Sequence, residues 1–221
     1  MNKTAIVIGA TGLVGSSLLE QLLEDDHFDE VKVFHRRTTG LKNPKLKEYI
    51  VDFENPAAWK GKITGDVLFS AMGTTIKKAG SKKAQYGIDY TYQYNTAKAA
   101  SENGVQNYVL VSSAGANQRS KIFYSRMKGE LDEAVQKLPF RNIVIMRPSI
   151  LAGNRNEKRS GEQIGLVLAK VFTRIPGLRK YRPIHGKEVA AAMIRAFEIK
   201  QEEKIRIFTL DEIFSLLAPG V

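Results

Sequence analysis

Short runs of β-branched and aliphatic residues alternate along this chain with longer segments whose apolar positions recur every three to four residues. The short runs are Thr4–Ile8, Val31–His35, Glu48–Val51, Asp66–Ser70, Asn107–Val111 and Asn142–Met146, and they read as strands. They are apolar almost throughout rather than at every second position, the pattern of strands covered on both faces. Between them the period changes. From Gly12 to Leu23, the residues Val14, Leu18 and Leu22 share one helical stripe. A second helix is predicted over Lys83–Asn103, ending before Gly104, and a third over Phe123–Leu138, stopped by Pro139. Strand and helix in this alternation predict an α/β fold with a doubly wound parallel sheet.

Beyond Pro148 the alternation weakens. A loop rich in Gly, Asn and Arg precedes an apolar helix around Ile164–Phe172, and residues 149–182 are expected to cap the substrate side of a cleft. A helix at Lys187–Ile199, a strand at Lys204–Phe208 and a helix at Asp211–Leu217 complete the pattern. No repeat or low-complexity linker interrupts it, so residues 1–221 are expected to form one domain.

Composition narrows the chemistry more than the fold. Hydrophobic residues make up 43% and charged residues 26%, as in ordinary globular proteins. Cysteine is absent, which excludes disulfides, thiolate metal sites and thiol nucleophiles together. His27, His35 and His185 are too scattered to predict a metal site. No stretch approaches the ~20 apolar residues of a membrane span. The apolar run Ala5–Ile8 is also too short for a secretory signal, so a cytoplasmic location is expected. A net charge of +11 raises nucleic acid as a partner. The basic residues are spread out, however, with local clusters at Lys77-Lys78, Lys82-Lys83, Arg155–Arg159 and Arg174–Arg182 and no interleaved aromatics. A solvated basic surface that attracts an anionic cofactor is the favoured account.

Gly9-Ala10-Thr11-Gly12-Leu13-Val14-Gly15 follows the first strand and opens the first helix. Gly9 suits a tight turn, Gly12 a close approach of backbone to a pyrophosphate, and Gly15 close packing of helix on sheet. The phosphate would sit on the unpaired N–H groups at the helix start. This context predicts a Rossmann-type dinucleotide site rather than a bare turn.

An acidic residue ending the second strand would hold the ribose 2′-hydroxyl of NAD. Here that strand runs into Arg36-Arg37, and guanidinium groups suit a 2′-phosphate, so NADP is expected over NAD. After the third strand, Asp52 and Phe53 could receive the adenine amine and flank its ring; equally, Asp52 could cap the turn at Asn55-Pro56. Ala71, Met72, Gly73 and Thr74 follow the fourth strand and should line the cofactor, since ligands of open α/β sheets bind beyond the carboxyl ends of strands.

Tyr124 and Lys128 lie four residues apart and so share a helix face. Leu131, Val135 and Leu138 continue that face, which leaves Lys128 on an otherwise apolar stripe. Upstream, Ser112-Ser113 ends the fifth strand. Reducing a carbonyl requires a proton for the developing alkoxide, and a tyrosine can give it once its pKa of ~10 is brought down by an ammonium. Reaching neutrality takes about 4 kcal/mol of differential interaction. A serine hydroxyl can hold the substrate oxygen in line. About one such Tyr/Lys pair is expected by chance in a chain with 8 tyrosines, and Tyr94/Lys98 is a second. That pair has no serine at a strand end before it, so Tyr124 is preferred.

Together these residues resemble the short-chain dehydrogenase/reductase superfamily, in a compact and atypical form. Ile8–Gly15 is similar to the epimerase/dehydratase branch. Arg36-Arg37, Gly73-Thr74-Thr75, Ser112-Ser113 before Tyr124, and Arg147-Pro148 are similar to the Tat-interacting-protein-like oxidoreductases. The resemblance implies NADP at the glycine loop and the arginines, a catalytic Ser113, Tyr124 and Lys128, and Pro148-Ser149 near the nicotinamide. It thus implies an NADP-dependent oxidoreductase acting on a small carbonyl or alcohol. The tetrad asparagine of that superfamily has no counterpart here, and the C-terminal region is short for an epimerase. A cofactor-binding regulatory or redox-sensing protein, acting through a protein or nucleic-acid partner, is the alternative, and an isomerase that keeps its cofactor is a third reading.

Overall fold

The computed structural model describes residues 3–152, 181–199 and 202–218. Seven strands form one sheet in the order β3-β2-β1-β4-β5-β6-β9, every neighbouring pair parallel. They are β1 (Lys3–Ile8), β2 (Phe28–His35), β3 (Leu46–Ile50), β4 (Val67–Ser70), β5 (Asn107–Val111), β6 (Asn142–Arg147) and β9 (Ile205–Thr209). The order reverses between β1 and β4, the topological switch point where such sheets open a ligand crevice. Register aligns the strand ends: Ile8 stands beside Phe34 and Ser70, Ser70 beside Leu110, and Val111 beside Met146. A parallel sheet sends every strand's carboxyl end to one edge. Gly9, Arg36, Asp52, Ala71, Ser112 and Pro148 therefore all leave the sheet on the same side.

Successive strand residues feed opposite cores. Ala5, Val7, Val31, Val33, Val109 and Val144 pack on α1 (Leu13–Glu24) and α6 (Gly186–Glu198). Ile6, Ile8, Phe34, Leu68, Leu110 and Ile145 face the other layer, built from α4 (Gln93–Glu102) and α5 (Phe123–Gln136). Burial on both faces explains why the strands read as continuous apolar runs.

The seven strands and the helices α1, α5 and α6 stand where the hydrophobic pattern puts them, within a few residues at their ends. The helix expected over Lys83–Asn103 is instead composite. It runs as α3 (Lys82–Tyr86), a π-helical stretch (Gly87–Tyr92) and α4. Ser81 starts it, its hydroxyl accepting from Ala84 N at 3.0 Å. A short α2 (Ile76–Ala79), capped by the Thr75 hydroxyl, was not legible beforehand. The last helix is only α7 (Glu212–Ser215), shorter than Asp211–Leu217. At the expected cap, β7 (Leu151–Ala152) pairs in parallel with β8 (Ile184–His185), and the Ser149 hydroxyl donates to the Arg182 carbonyl. The Ile164–Phe172 helix and the basic residues Arg155, Lys158 and Arg159 lie outside the described residues.

Candidate cofactor and active site

At the switch point the backbone does the shaping. Gly9 has φ +83°, open to glycine at no cost, and a Cβ there would lie 2.5 Å from Ala71 C and Met72 N. Gly12 N donates to the Gly9 carbonyl at 2.9 Å, closing the turn. A Cβ on Gly15 would overlap the Gly9 carbonyl oxygen, so only glycine lets α1 start this close to the loop. Thr11 and Gly12 are exposed, Leu13 is half-buried, and Val14 packs in the core. No side chain caps α1 at Gly12, which leaves its first N–H groups facing the crevice. This is a cradle that fits a pyrophosphate.

Arg36 and Arg37 follow β2, both exposed. The loop behind them is pinned by Glu48 of β3, whose carboxylate accepts from Thr38 Oγ1, Thr39 N and Thr39 Oγ1, each at 2.7 Å. Burial works against the Glu48 charge, but those donors outweigh it and hold the carboxyl below its usual range. His35 is buried beside it, Nε2 lying 3.2 Å from Glu48 Oε1, and burial pushes the imidazole down despite that neighbour. Asp52 Oδ1 accepts from Glu54 N at 2.9 Å, which is the turn-capping role. Phe53 is a correction: its ring is buried between Trp59 and Tyr92, at 5.4 and 5.5 Å, and cannot flank a ligand ring.

The loop after β4 continues the wall. Ala71, Met72 and Thr74 are half-buried and Gly73 is exposed. Thr74 N donates to Asp89 Oδ1 at 2.8 Å, and Gln85 Nε2 donates to the Thr74 carbonyl and to Asp89 Oδ2, both at 3.1 Å. Ser70 Oγ donates to Gln93 Oε1 at 2.7 Å beneath them. Asp89, Gln93 and Ser70 have no exposed surface at all.

On α5, Tyr124 is 41% exposed whereas Lys128 is 3% exposed, buried with Leu131, Val135 and Leu138. Lys128 Nζ donates to the Val111 carbonyl at 3.3 Å, and its charge acts on two buried carboxylates, Asp89 and Asp132. Asp132 Oδ2 accepts from Arg147 Nε at 2.9 Å. Burial pushes both aspartate carboxyls up, opposed at Asp89 by Lys128 and Gln85, and at Asp132 by the Ser112 hydroxyl and Arg147. Ser113 is half-buried at the end of β5. The loop it opens packs over the first turn of α5: Asn117 N donates to the Ser125 carbonyl at 2.9 Å. A Cβ on Gly129 would overlap the backbone of Asn117 and Gln118, so glycine is what lets this loop settle. Pro148 is buried, and its carbonyl accepts from Ala114 N at 3.0 Å. In the second pair, Lys98 is exposed and lies 3.8 Å from Glu102, and Tyr94 stacks on Tyr90.

Residues 9–198 match the family described as NAD(P)H-binding. The chain belongs to that family. The NAD(P)H-binding assignment agrees with the glycine cradle, and its span reaches from that loop to the end of α6. A curated relative from Saccharomyces cerevisiae, "Protein FMP52, mitochondrial", is 35% identical over 96% of this chain and 96% of its own length. Its namesake in Candida glabrata is also 35% identical, over 91% of this chain and 88% of the relative. Among solved structures, ADP-L-glycero-D-manno-heptose-6-epimerase of Helicobacter pylori superposes with a TM-score of 0.70 at 18% identity, covering 97% of this chain and 81% of that one. MoeE5 in complex with UDP-glucuronic acid and NAD gives 0.68 at 15% identity, covering 94% and 76%. The fold is the one that these solved epimerases share.

The expected cytoplasmic location is overturned, because the relatives are named mitochondrial proteins. The sequence test behind it looked for secretory and membrane-spanning segments, and neither separates cytosol from an organelle interior.

Sequence reasoning missed Asp89, Gln85, Asp132 and Gly129, and noted Arg147 without its pairing to Asp132. Asp132 had a signal: it lies one helical turn past Lys128 and interrupts the same apolar stripe. Asp25, His27 and Glu198 are the group of metal-type ligands found among the described residues, within 4.8 Å of one another. Asp25 Oδ1 is engaged by His27 N and Nδ1, and Glu198 lies 3.6 Å from Arg195.

Proposed function

We propose that this NAD(P)H-binding protein is an NADPH-dependent reductase of small carbonyl compounds, working at Ser113, Tyr124 and Lys128. The observation that carries the reading is the contrast on one helix face: an exposed tyrosine above a buried lysine, at the ligand edge of the sheet. Gly9, Gly12 and Gly15 shape the pyrophosphate cradle, with Thr11, Leu13 and Val14 around the helix start. Arg36 and Arg37 receive the 2′-phosphate, and no carboxylate ends β2 to favour a bare ribose. Ala71–Thr74 and Pro148 wall the nicotinamide side.

The bound nicotinamide supplies the hydride. Ser113 holds the substrate oxygen, and Tyr124 Oη gives that oxygen its proton. The Lys128 ammonium favours the phenolate that Tyr124 becomes.

Single-turnover oxidation of NADPH against a panel of small aldehydes and ketones tests this. Tyr124→Phe should slow turnover by roughly 100-fold while leaving cofactor affinity nearly unchanged. Tyr94→Phe should leave both as they are. If the wild type turns over no carbonyl, or if Tyr94→Phe is the inactive variant, the assignment is wrong.

A further inference from the structure

The π-helical stretch puts a charge where the fold gives no packing reason for one. Asp89 is fully buried, and a buried carboxylate costs several kcal/mol unless it is both paired and hydrogen-bonded. Two carboxylates and two cations meet here. Asp132 is taken by Arg147 at 2.9 Å, and the Lys128 charge acts on Asp89 and Asp132 alike. Both Asp89 oxygens are spoken for, Oδ1 by Thr74 N and Oδ2 by Gln85 Nε2. Two segments distant in sequence meet at this one group: the loop after β4 and the helical segment that begins at Ser81. π-Helical turns are rare and concentrate at functional sites.

We propose that Asp89 is a positioning residue of the NAD(P)H site, its carboxylate locking the Gly73-Thr74 loop to the helical segment that begins at Ser81. It touches neither the dinucleotide nor the reacting atoms. It fixes the wall that the cofactor meets. The inference rests on the reading above for the role of that wall in cofactor binding, but the lock itself is a property of the protein alone.

Asp89→Asn separates the possibilities. A carboxamide offers one acceptor where two N–H donors arrive. Hydrogen exchange should rise about tenfold at the Thr74 amide and across residues 71–75, with β1 and β5 unchanged. NADPH should bind about tenfold more weakly by calorimetry. In a double-mutant cycle read by exchange over 71–75, Asp89→Asn should add little to Gln85→Leu, because the two share one interaction. Unchanged exchange at Thr74, or fully additive rises with Gln85→Leu, would overturn the lock. Exchange is read without cofactor, so a wild type that binds no NADPH would sink the functional reading and still leave this one decided. If Asp89→Asn does not fold, Gln85→Leu keeps the charge and removes one strut. It should raise exchange over 71–75 several-fold, and no rise there counts against the proposal.

Discussion

On the β1–β2 side, the ligand edge is made of bare backbone and of charges left in water. Gly9, Gly12 and Gly15 act by lacking a side chain, and Arg36 and Arg37 stand exposed on a loop pinned by Glu48. On the β4–β6 side, Asp89, Lys128 and Asp132 are all buried, with Arg147 half-buried beside them, and the donors come from four separate segments. The first side is local in sequence and open in space; the second is scattered in sequence and closed in space. The first can be read as a motif, whereas the second exists only once the chain has folded.

The sharpest way to break this contrast is a pair of glycine substitutions. Gly15→Ala drives a methyl into the Gly9 carbonyl, which should cost about 3 kcal/mol, the upper end for overpacking, and abolish dinucleotide binding. Gly129→Ala drives one into the backbone of Asn117 and Gln118, and should cost a similar amount while NADPH affinity stays within a few-fold. Thermal unfolding and calorimetry on both variants report this, and equal loss of NADPH binding in the two would merge the halves. Next in size, Arg36→Asp should weaken NADPH by about 2–3 kcal/mol, the scale of a charge-assisted bond, and NADH far less. Wild-type protein with equal affinity for both would remove the arginines from the site. Glu48→Gln loosens the arginine loop without touching the arginines, and should weaken NADPH by about 1 kcal/mol.

The smallest effect has opposite signs on the two sides. His35 is pushed down by burial, so its contribution to stability is present above about pH 6.5 and is lost as pH falls through its lower folded value. Glu48 is also held low, and its contribution goes further down in acid. Asp89 and Asp132 are pushed up by burial, so their contribution is fullest in acid and is lost as pH rises through their folded values. Between pH 7 and pH 5.5, exchange corrected for its intrinsic rate should increase around residues 36–40 and not around 71–75. His35→Asn should remove most of that increase. The same rise on both sides would contradict the assigned directions.

The strands were legible because burial on two faces writes itself as an unbroken apolar run, as in Asn107–Val111, where expected and observed ends coincide. β2 begins earlier than expected, since Asp29 and Glu30 after the buried Phe28 look like a loop. The glycine loop was legible because its three positions act through one turn. Lys128 was noticed because a lysine on an apolar stripe is out of place. Asp89 was not, because charged residues are expected at the surface and its partners come from elsewhere in the sequence. Gly129 went unremarked, although glycine inside a helix costs about 1 kcal/mol against alanine and so asks for a reason. Phe53 was misread because composition cannot say which side of a turn an aromatic ring takes.

The helical segment from Lys82 to Glu102 counts by fours. Gln85, Asp89 and Gln93 form one buried column, and Tyr86, Tyr90 and Tyr94 form another, their rings stacked at 4.8 and 6.0 Å. An α-helix overshoots by about 40° at each step of four, so two such columns would splay within eight residues. The wider turns of Gly87–Tyr92 take up the overshoot and keep both columns straight. Losing or gaining a single residue here would swing the tyrosine ladder and the polar column round the axis together. The number of residues in this stretch is therefore as much a part of its design as their identities, and spacing will mark it in a related chain even where side chains have changed.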